Sequence, residues 1–353
     1  MKNYFSNCDN FSQHAHIESV LKIQSAEIEK NISQKVDISI VITTYNRPQL
    51  LREAIESAIS QSSKIKYEIL IVDNNFQEGK TESELVVESF KSERLRYFQN
   101  KENLGMFGNW NRGILLARGK FVTILHDDDF LKSNYLESMF ELLKKSNGNK
   151  LLSCNIDIDD QRFESDSGKK SRFLKSVKKL ILNKKRVTVK EISIKDYFYR
   201  NRHMGTLGVL FSRENAIKIG GFDAAEYPSA DYFFFSKYVM EFGALHFYKN
   251  LAVYRIFENE SMKNNVMQLW VVQGYKFRIF LINSQLTNSS WKRSLAKFLA
   301  VNEAFYFKKD WNGTYDEFAL LKSIGLEGVL LNKYVNKLFR IFLKVRFFIR
   351  QDF

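Results

Sequence analysis

The sequence predicts an α/β fold on a central sheet, and three observations carry that prediction. Short apolar runs rich in β-branched residues alternate with helical patterns from Asp37 to Ile156. The first, second and fourth runs end in polar clusters, Thr44-Tyr45-Asn46, Asp73-Asn74 and Asp127-Asp128-Asp129. Sheets of this kind bind ligands beyond the carboxyl ends of their strands, so three polar clusters at one edge predict a site there.

Residues 1–36 are polar and predict a loose tail, then a helix with Ile17, Val20, Leu21, Ile23 and Ile28 on its packed face. His14 and His16 lie in this tail and read as solvent-exposed rather than as metal ligands. The first strand is 38–43, ISIVIT, a continuous apolar run suited to a buried parallel position. Asn46 is suited to cap the following helix, and Pro48 to its first turn. Leu50, Leu51, Ala54, Ile55, Ala58 and Ile59 form that helix's apolar face. The second strand, 68–72, ends at Asp73, and a short third strand covers 95–98. Asn103-Leu104-Gly105 opens a helix that ends at Gly119. The fourth strand, 121–125, leads into His126 and three aspartates. Three like charges at a strand end repel one another, and hard cations such as Mg²⁺ and Mn²⁺ prefer carboxylate oxygens. A solvated acidic turn capping the next helix is the competing reading.

Beyond Asn134 a helix runs to about Lys145, followed by a strand at 150–156. Residues 157–190 form an insertion. It begins with Asp157, Asp159, Asp160, Glu164 and Asp166 and continues as 169–190, with ten basic residues and no acid. It reads either as a solvated insertion or as an acceptor-side flap for anionic headgroups or a diphosphate. A strand at 207–212 and a helix at 213–219 precede Gly220-Gly221-Phe222-Asp223. Pro228-Ser229-Ala230-Asp231 opens an aromatic helix. Residues 261–353 are helical in pattern. The last stretch, 330–353, places Lys333, Lys337, Arg340 and Lys344 on one face, with apolar residues opposite. That amphipathicity suits an anionic membrane surface, or packing on the main domain.

Composition bounds the partners. The formal net charge of +14 predicts an anionic one. Two cysteines, Cys8 and Cys154, cannot make a disulfide framework, and a reducing cytoplasm is expected. No uncharged apolar run approaches the ~18 residues of a membrane span. The chain carries no GxGxxG after its first strand and no GxxxxGK[ST], which argues against dinucleotide dehydrogenases and P-loop NTPases. No nucleic-acid module is recognisable, and no nucleic-acid partner is expected.

The ordered series IVITTYNRP, VDNN, NLGMFGNWNRGILLARGKF, LHDDDFL and GTLGVLFSRENAIKIGGFDAAEYPSADYFFFSKY resembles the family 2 glycosyltransferases over roughly residues 37–260. The resemblance implies a GT-A-like fold: a Rossmann-like nucleotide-binding half at 37–130, an acceptor half at 131–260 and a mixed central sheet, with 1–36 and 261–353 outside it. It implies a nucleotide-sugar donor, Mn²⁺ or Mg²⁺, and inversion at the anomeric carbon. Thr44, Tyr45 and Arg47 would surround the nucleoside, Asp73 would bond its base, and Asn103 would join the donor side. Relatives read Asp-x-Asp-Asp where this chain reads His126-Asp127-Asp128-Asp129, so Asp128 is the favoured metal ligand. Asp127 would join the metal set or face the ribose or the metal's waters, and Asp129 would complete the metal set or cap the helix. His126 would touch the donor or serve structure alone. Asp231 falls at the general base, beside Ala230 where relatives often carry Glu, with Glu226 and Asp223 as fallback bases. Gly221, Phe222 and Glu226 would border the acceptor. Tyr254-Arg255 and Asn259-Glu260-Ser261 would form a loop over the diphosphate, with Arg255 on phosphate. The activity implied is sugar transfer from a UDP- or dTDP-linked donor to a lipid-linked saccharide in O-antigen or capsule synthesis, at the inner face of the cell membrane. A nucleotidyltransferase and a non-catalytic nucleotide-sugar-binding protein are the alternatives.

Overall fold

A computed structural model of the chain describes residues 25–28, 36–146, 148–161, 188–203, 205–256 and 260–329. The helix expected before residue 25, His14 and His16, the basic stretch 169–187 with Glu164 and Asp166 before it, Asn259, and the amphipathic stretch 330–353 lie outside them. A ten-stranded mixed sheet forms the centre. Its strands are β1 (Ser25–Ile28), β2 (Ile38–Thr44), β3 (Tyr67–Asp73), β4 (Leu95–Asn100), β5 (Phe121–His126), β6 (Phe130–Leu131), β7 (Leu151–Asp160), β8 (Val189–Ile192), β9 (Val209–Ser212) and β10 (Ala244–Ile256). The order is β1-β4-β3-β2-β5-β9-β7-β10-β6, with β8 also on β10. Strands β4, β3, β2 and β5 are parallel, and β9 enters antiparallel to both β5 and β7.

Helix α1 (Pro48–Ile59) follows β2, α2 (Glu82–Ser89) follows β3, and α3 (Gly105–Leu116) leads to β5. Both faces of β2 are covered, which is why its sequence is continuously apolar. Ile38, Ile40 and Ile42 pack with Leu51, Ala54, Ile55 and Ala58 of α1. Val41 joins the other core, with Trp110 and Ile114 of α3. Gly113 lets α3 approach the sheet closely, since a Cβ there would stand 2.3 Å from Val41 Cγ1. Between β3 and β4, Glu68 and Arg96 form a buried ion pair at 3.0 Å. Ser39 Oγ and the Arg118 N–H also donate to Glu68, so that its charge is fully bonded inside the sheet.

The second half contains α4 (Tyr135–Lys144), α5 (Ile194–Tyr197), α6 (Arg213–Lys218) and α7 (Ala230–Phe242). Tyr232, Phe233, Phe234 and Phe235 of α7 are buried in one core cluster with Phe222 and Phe277. This aromatic packing fixes the amino end of α7, where Asp231 stands. Helices α8 (Asn264–Ser284), α9 (Ser290–Asp310) and α10 (Glu317–Ser323) follow. Arg278 on α8 is buried and paired through both terminal nitrogens with Glu303 on α9, and its Nε donates to Phe198 O at 2.9 Å. Among the described residues no helix is long and apolar enough to cross a membrane.

Several local expectations are corrected. Ile28 lies in strand β1, not a helix, because residues 25–28 pair with the open edge of β4. Asn46 does not cap α1. It adopts a left-handed φ of 54°, which Asn tolerates, and Arg47 occupies the cap position. The helix expected to reach Gly119 ends at Leu116. Residues Asp157 to Asp160 continue β7 rather than opening an irregular insertion. Tyr254 and Arg255 belong to the thirteen-residue strand β10, not a loop.

Candidate active site

The parallel strands deliver the expected clusters to one edge. Thr43 pairs with His126 and Thr44 with Asp73, so the ends of β5, β2 and β3 lie side by side. Thr44 Oγ1 donates to Asp127 Oδ2 at 2.8 Å. Arg47 Nη1 reaches Asp127 at 3.4 Å and Asp128 at 3.1 Å while staying 44% exposed. Tyr45 is exposed beside them.

The three aspartates face different ways. Asp127 is buried and bonded to Thr44, Arg47 and the Tyr45 N–H. Burial, reinforced by Asp128, pushes its pKa up to about 6. Its oxygens serve the β2 loop, so it stands apart from the ligand cluster in which it was expected. Asp128 has an 18% exposed side chain and fronts the edge. Asp129 is fully buried. Its Oδ1 accepts the Arg255 N–H at 3.1 Å, and its Oδ2 is buried with no hydrogen-bond partner. Burial, then the Asp128 charge, raises Asp129 well above the carboxylate range.

His126 completes the group. One ligand atom each from His126, Asp128 and Asp129 lie within 4.8 Å of one another. Two trans ligands of a small divalent cation with ~2.1 Å bonds span roughly 4.2 Å, so a slight closure would seat the ion. The orphaned Asp129 oxygen and this donor set fit Mn²⁺ or Mg²⁺. His126 stacks on Trp110 with ring centroids 5.1 Å apart, and burial lowers its pKa.

Asp73 is fully buried. Its Oδ2 accepts from Thr81 at 3.0 Å and Tyr97 at 2.8 Å, and its Oδ1 accepts the Asn75 N–H at 2.9 Å. Burial raises its pKa against these bonds. Ser83 bonds the same carboxylate, so Asp73 is engaged from four sides within its own half of the sheet. Asn103 is exposed. Its carbonyl accepts from Asn74 and the Gly105 N–H, which ties the β3 end to the start of α3 and leaves its amide N–H groups at the surface.

On the other side of the edge, Asp231 lies in the first turn of α7. Burial pushes it up to about 6 against bonds from backbone N–H groups and Asn201. Tyr254 is within electrostatic reach of both groups. Its phenol is raised to about 12 by burial, with Asp129, Asp128 and Asp231 all near enough to add to the rise. Glu226 is raised well above the carboxylate range by burial and by Asp223, so it is a poorer base at neutral pH than Asp231.

Gly221 and Phe222 are buried. Asn111 holds both backbone groups of Phe222, at 2.8 and 2.7 Å, and its ring packs on Trp110 and Phe234. With no surface or free backbone group, Phe222 supports the site from below instead of touching an acceptor. The Arg255 guanidinium pairs with Glu53 on α1 and lies over the Phe130 ring, 4.3 Å from its centroid, while its backbone N–H bonds Asp129 and its charge favours the Asp129 carboxylate. Thr206, which bonds His126, and Trp110, which stacks on it, were not legible as site residues. Thr206 sits 80 positions away from His126, and only the β5–β9 pairing brings them together.

Comparison with known proteins agrees with this geometry. The family model for glycosyl transferase family 2 matches residues 39–205. The chain is 33% identical over 111 residues to an uncharacterized glycosyltransferase of Methanocaldococcus jannaschii, covering 31% of this chain and 38% of that protein. It is 32% identical over 135 residues to the GalNAc(5)-diNAcBac-PP-undecaprenol beta-1,3-glucosyltransferase of Campylobacter jejuni, covering 37% of this chain and 42% of that protein. The chain thus spans less than half the length of these relatives. Among solved structures, S. aureus TarS residues 1–349 in complex with UDP-GlcNAc superposes with a TM-score of 0.52 at 16% identity, over 77% of this chain and 73% of that one. Mannosyltransferase PcManGT from Pyrobaculum calidifontis, in complex with GDP-Man and Mn²⁺, gives 0.51 at 15% identity, over 94% and 90%. At these identities the structural likeness speaks for the GT-A-like fold alone. The ordered motifs and the mixed sheet that gathers them at one edge agree with the match of residues 39–205 to glycosyl transferase family 2.

Proposed function

We propose that this chain is an inverting, metal-dependent transferase that moves a sugar from a nucleotide-sugar to a hydroxyl of a lipid-linked saccharide. The observation that carries the reading is the group His126, Asp128 and Asp129 at the strand edge, whose ligand atoms lie within 4.8 Å of one another. Asp231, a carboxylate pushed up to about 6, acts on the Tyr254 phenol together with Asp128 and Asp129. Asp231 removes the proton from the acceptor hydroxyl as its oxygen attacks the anomeric carbon, and the bond from that carbon to the diphosphate oxygen breaks. Asp128 and Asp129, with His126 beside them, would hold the divalent ion. When bound, that ion neutralises charge growing on the leaving diphosphate. Arg47 exchanges the contacts its Nη1 makes with Asp127 and Asp128 for the phosphates, which a guanidinium can bind through two nitrogens. Thr44, Tyr45, Asp73 and Asn103 line the nucleotide side, and Gly221 and Glu226 the acceptor side.

The lipid-linked acceptor is supported by the name of the C. jejuni relative and by the chain's net charge of +14. A basic protein of this kind is drawn to the anionic inner face of a cell membrane. Incubation with UDP-, dTDP- and GDP-sugars and a polyprenyl-diphosphate-linked saccharide tests the reading. The expected product carries the new bond with anomeric configuration opposite to the donor's. A product of retained configuration overturns the single-displacement mechanism, and donor binding without any transfer favours a non-catalytic nucleotide-sugar-binding protein.

A further inference from the structure

His126 closes β5 directly before the three aspartates, and its surroundings define how its ring is used. Thr206 Oγ1 lies 3.2 Å from Ile124 O and 3.0 Å from His126 Nε2. The hydroxyl has one proton. Donated to Ile124 O, it leaves the hydroxyl oxygen to accept, and Nε2 carries the ring proton. Nδ1 then presents a bare lone pair. It faces Asp129 Oδ2 at 3.8 Å, the same carboxylate oxygen that is buried without a partner. Two lone pairs set against each other are relieved by a shared proton or by a cation between them. The distance is too long for a hydrogen bond and falls within the roughly 3.0–4.2 Å that separates two ligands of one ion with ~2.1 Å bonds. Trp110 stacks on the ring at an interplanar angle of 18°, and Gly205 lies against its edge, where a Cβ would stand 3.7 Å from Cε1. A histidine whose second nitrogen is bonded and whose plane is clamped is built as metal-binding histidines are built.

We propose that His126 Nδ1 is a direct ligand of the divalent cation, alongside Asp128 and Asp129, and that this nitrogen biases the site toward Mn²⁺ and other transition-metal ions over Mg²⁺. The inference rests on the metal-dependent reading of the site and adds the ligand that sets its selectivity. An imidazole nitrogen suits transition metals, whereas an all-oxygen set suits Mg²⁺ and Ca²⁺. Thr206 acts as a positioning residue, holding Nδ1 free of its proton.

Pulsed electron paramagnetic resonance on the full chain with Mn²⁺, alone and with UDP, GDP or dTDP, reads the ligand directly. The expected spectrum shows nitrogen modulation that shifts when the protein is labelled with ¹⁵N-histidine and vanishes in His126→Gln. By titration, His126→Gln weakens Mn²⁺ binding about 10–100-fold and Thr206→Val about tenfold. Mg²⁺ binding changes less than about threefold in either variant. Mn²⁺ bound with no nitrogen modulation in the wild-type chain overturns the His126 assignment and leaves the carboxylate site standing. No Mn²⁺ binding under any of these conditions overturns both. The wild-type spectrum decides without relying on the fold of a variant.

Discussion

Replacing Asp231 with Asn is expected to lower kcat by about 10²–10⁴-fold, the range lost when a positioned general base is removed. Acceptor KM should move little, because the amide keeps the shape and the hydrogen bonds to backbone N–H groups. The wild-type rate should climb with pH through about 6, where Asp231 loses its proton, and that rise should vanish in the variant. Stability separates this outcome from simple damage. Burial raises Asp231 from its ordinary 3.8 to about 6, so the folded chain prefers the neutral acid. Its contribution to stability is fully present below about pH 3.8 and is lost as pH rises through about 6. Asn is neutral at every pH. Asp231→Asn should therefore raise Tm at pH 8, by up to about 3 kcal/mol in unfolding free energy, with no gain near pH 4. A variant that loses both activity and stability at pH 8 would point to a structural role. Full activity would move the base to Glu226 or Asp223.

The second large effect is expected at Asp128. Asp128→Asn should reduce transfer by about 10²–10³-fold, the scale of removing one fixed electrostatic element from a transition state. The reason lies in its position. Asp129 is buried and bonded to the β10 backbone, and Asp127 is committed to Thr44 and Arg47, so Asp128 is the carboxylate that meets both ion and solvent. Mn²⁺ affinity should fall with the rate, and excess Mn²⁺ should restore part of it. Asp127→Asn should act differently, loosening the loop that carries Tyr45 and Arg47 and raising donor KM more than it lowers kcat. If Asp128→Asn turned over at the wild-type rate and chelation left the wild type unaffected, the metal reading would fail.

The parts of this site that were legible in the sequence are those set by local chemistry. Strands β2, β3 and β5 are covered on both faces, which forces continuous apolar runs, and their polar ends then mark the edge. Asp127 to Asp129 and Asp231 stand out because charge is costly where they sit. What was not legible depends on distant partners. Strand β10 alternates apolar, basic and half-exposed residues because it meets β7, β8 and β6 along its length, and no local period reports that. Arg255 looked ready for phosphate, yet it pairs with Glu53, 202 positions away. Asp73 looked open to a base, but Thr81 and Tyr97 fill one of its oxygens. Phe222 looked like acceptor wall beside two glycines, and Asn111, 111 positions earlier, seals it inside.

The central claim is that the edge formed by β2, β3 and β5 binds a nucleoside diphosphate through a cation held by Asp128. Thermal unfolding of the full chain with UDP, dTDP or GDP, with and without Mn²⁺, tests it most directly. At a ligand concentration of about 100 times Kd, binding to the folded state adds roughly 2.7 kcal/mol, a rise of several degrees in Tm for a chain of this size. The account predicts that rise for at least one nucleotide in the presence of Mn²⁺, its loss on adding EDTA, and its loss in Asp128→Asn. A nucleotide-induced rise that is the same without Mn²⁺ and in Asp128→Asn, or no rise with any of the three nucleotides, would contradict it.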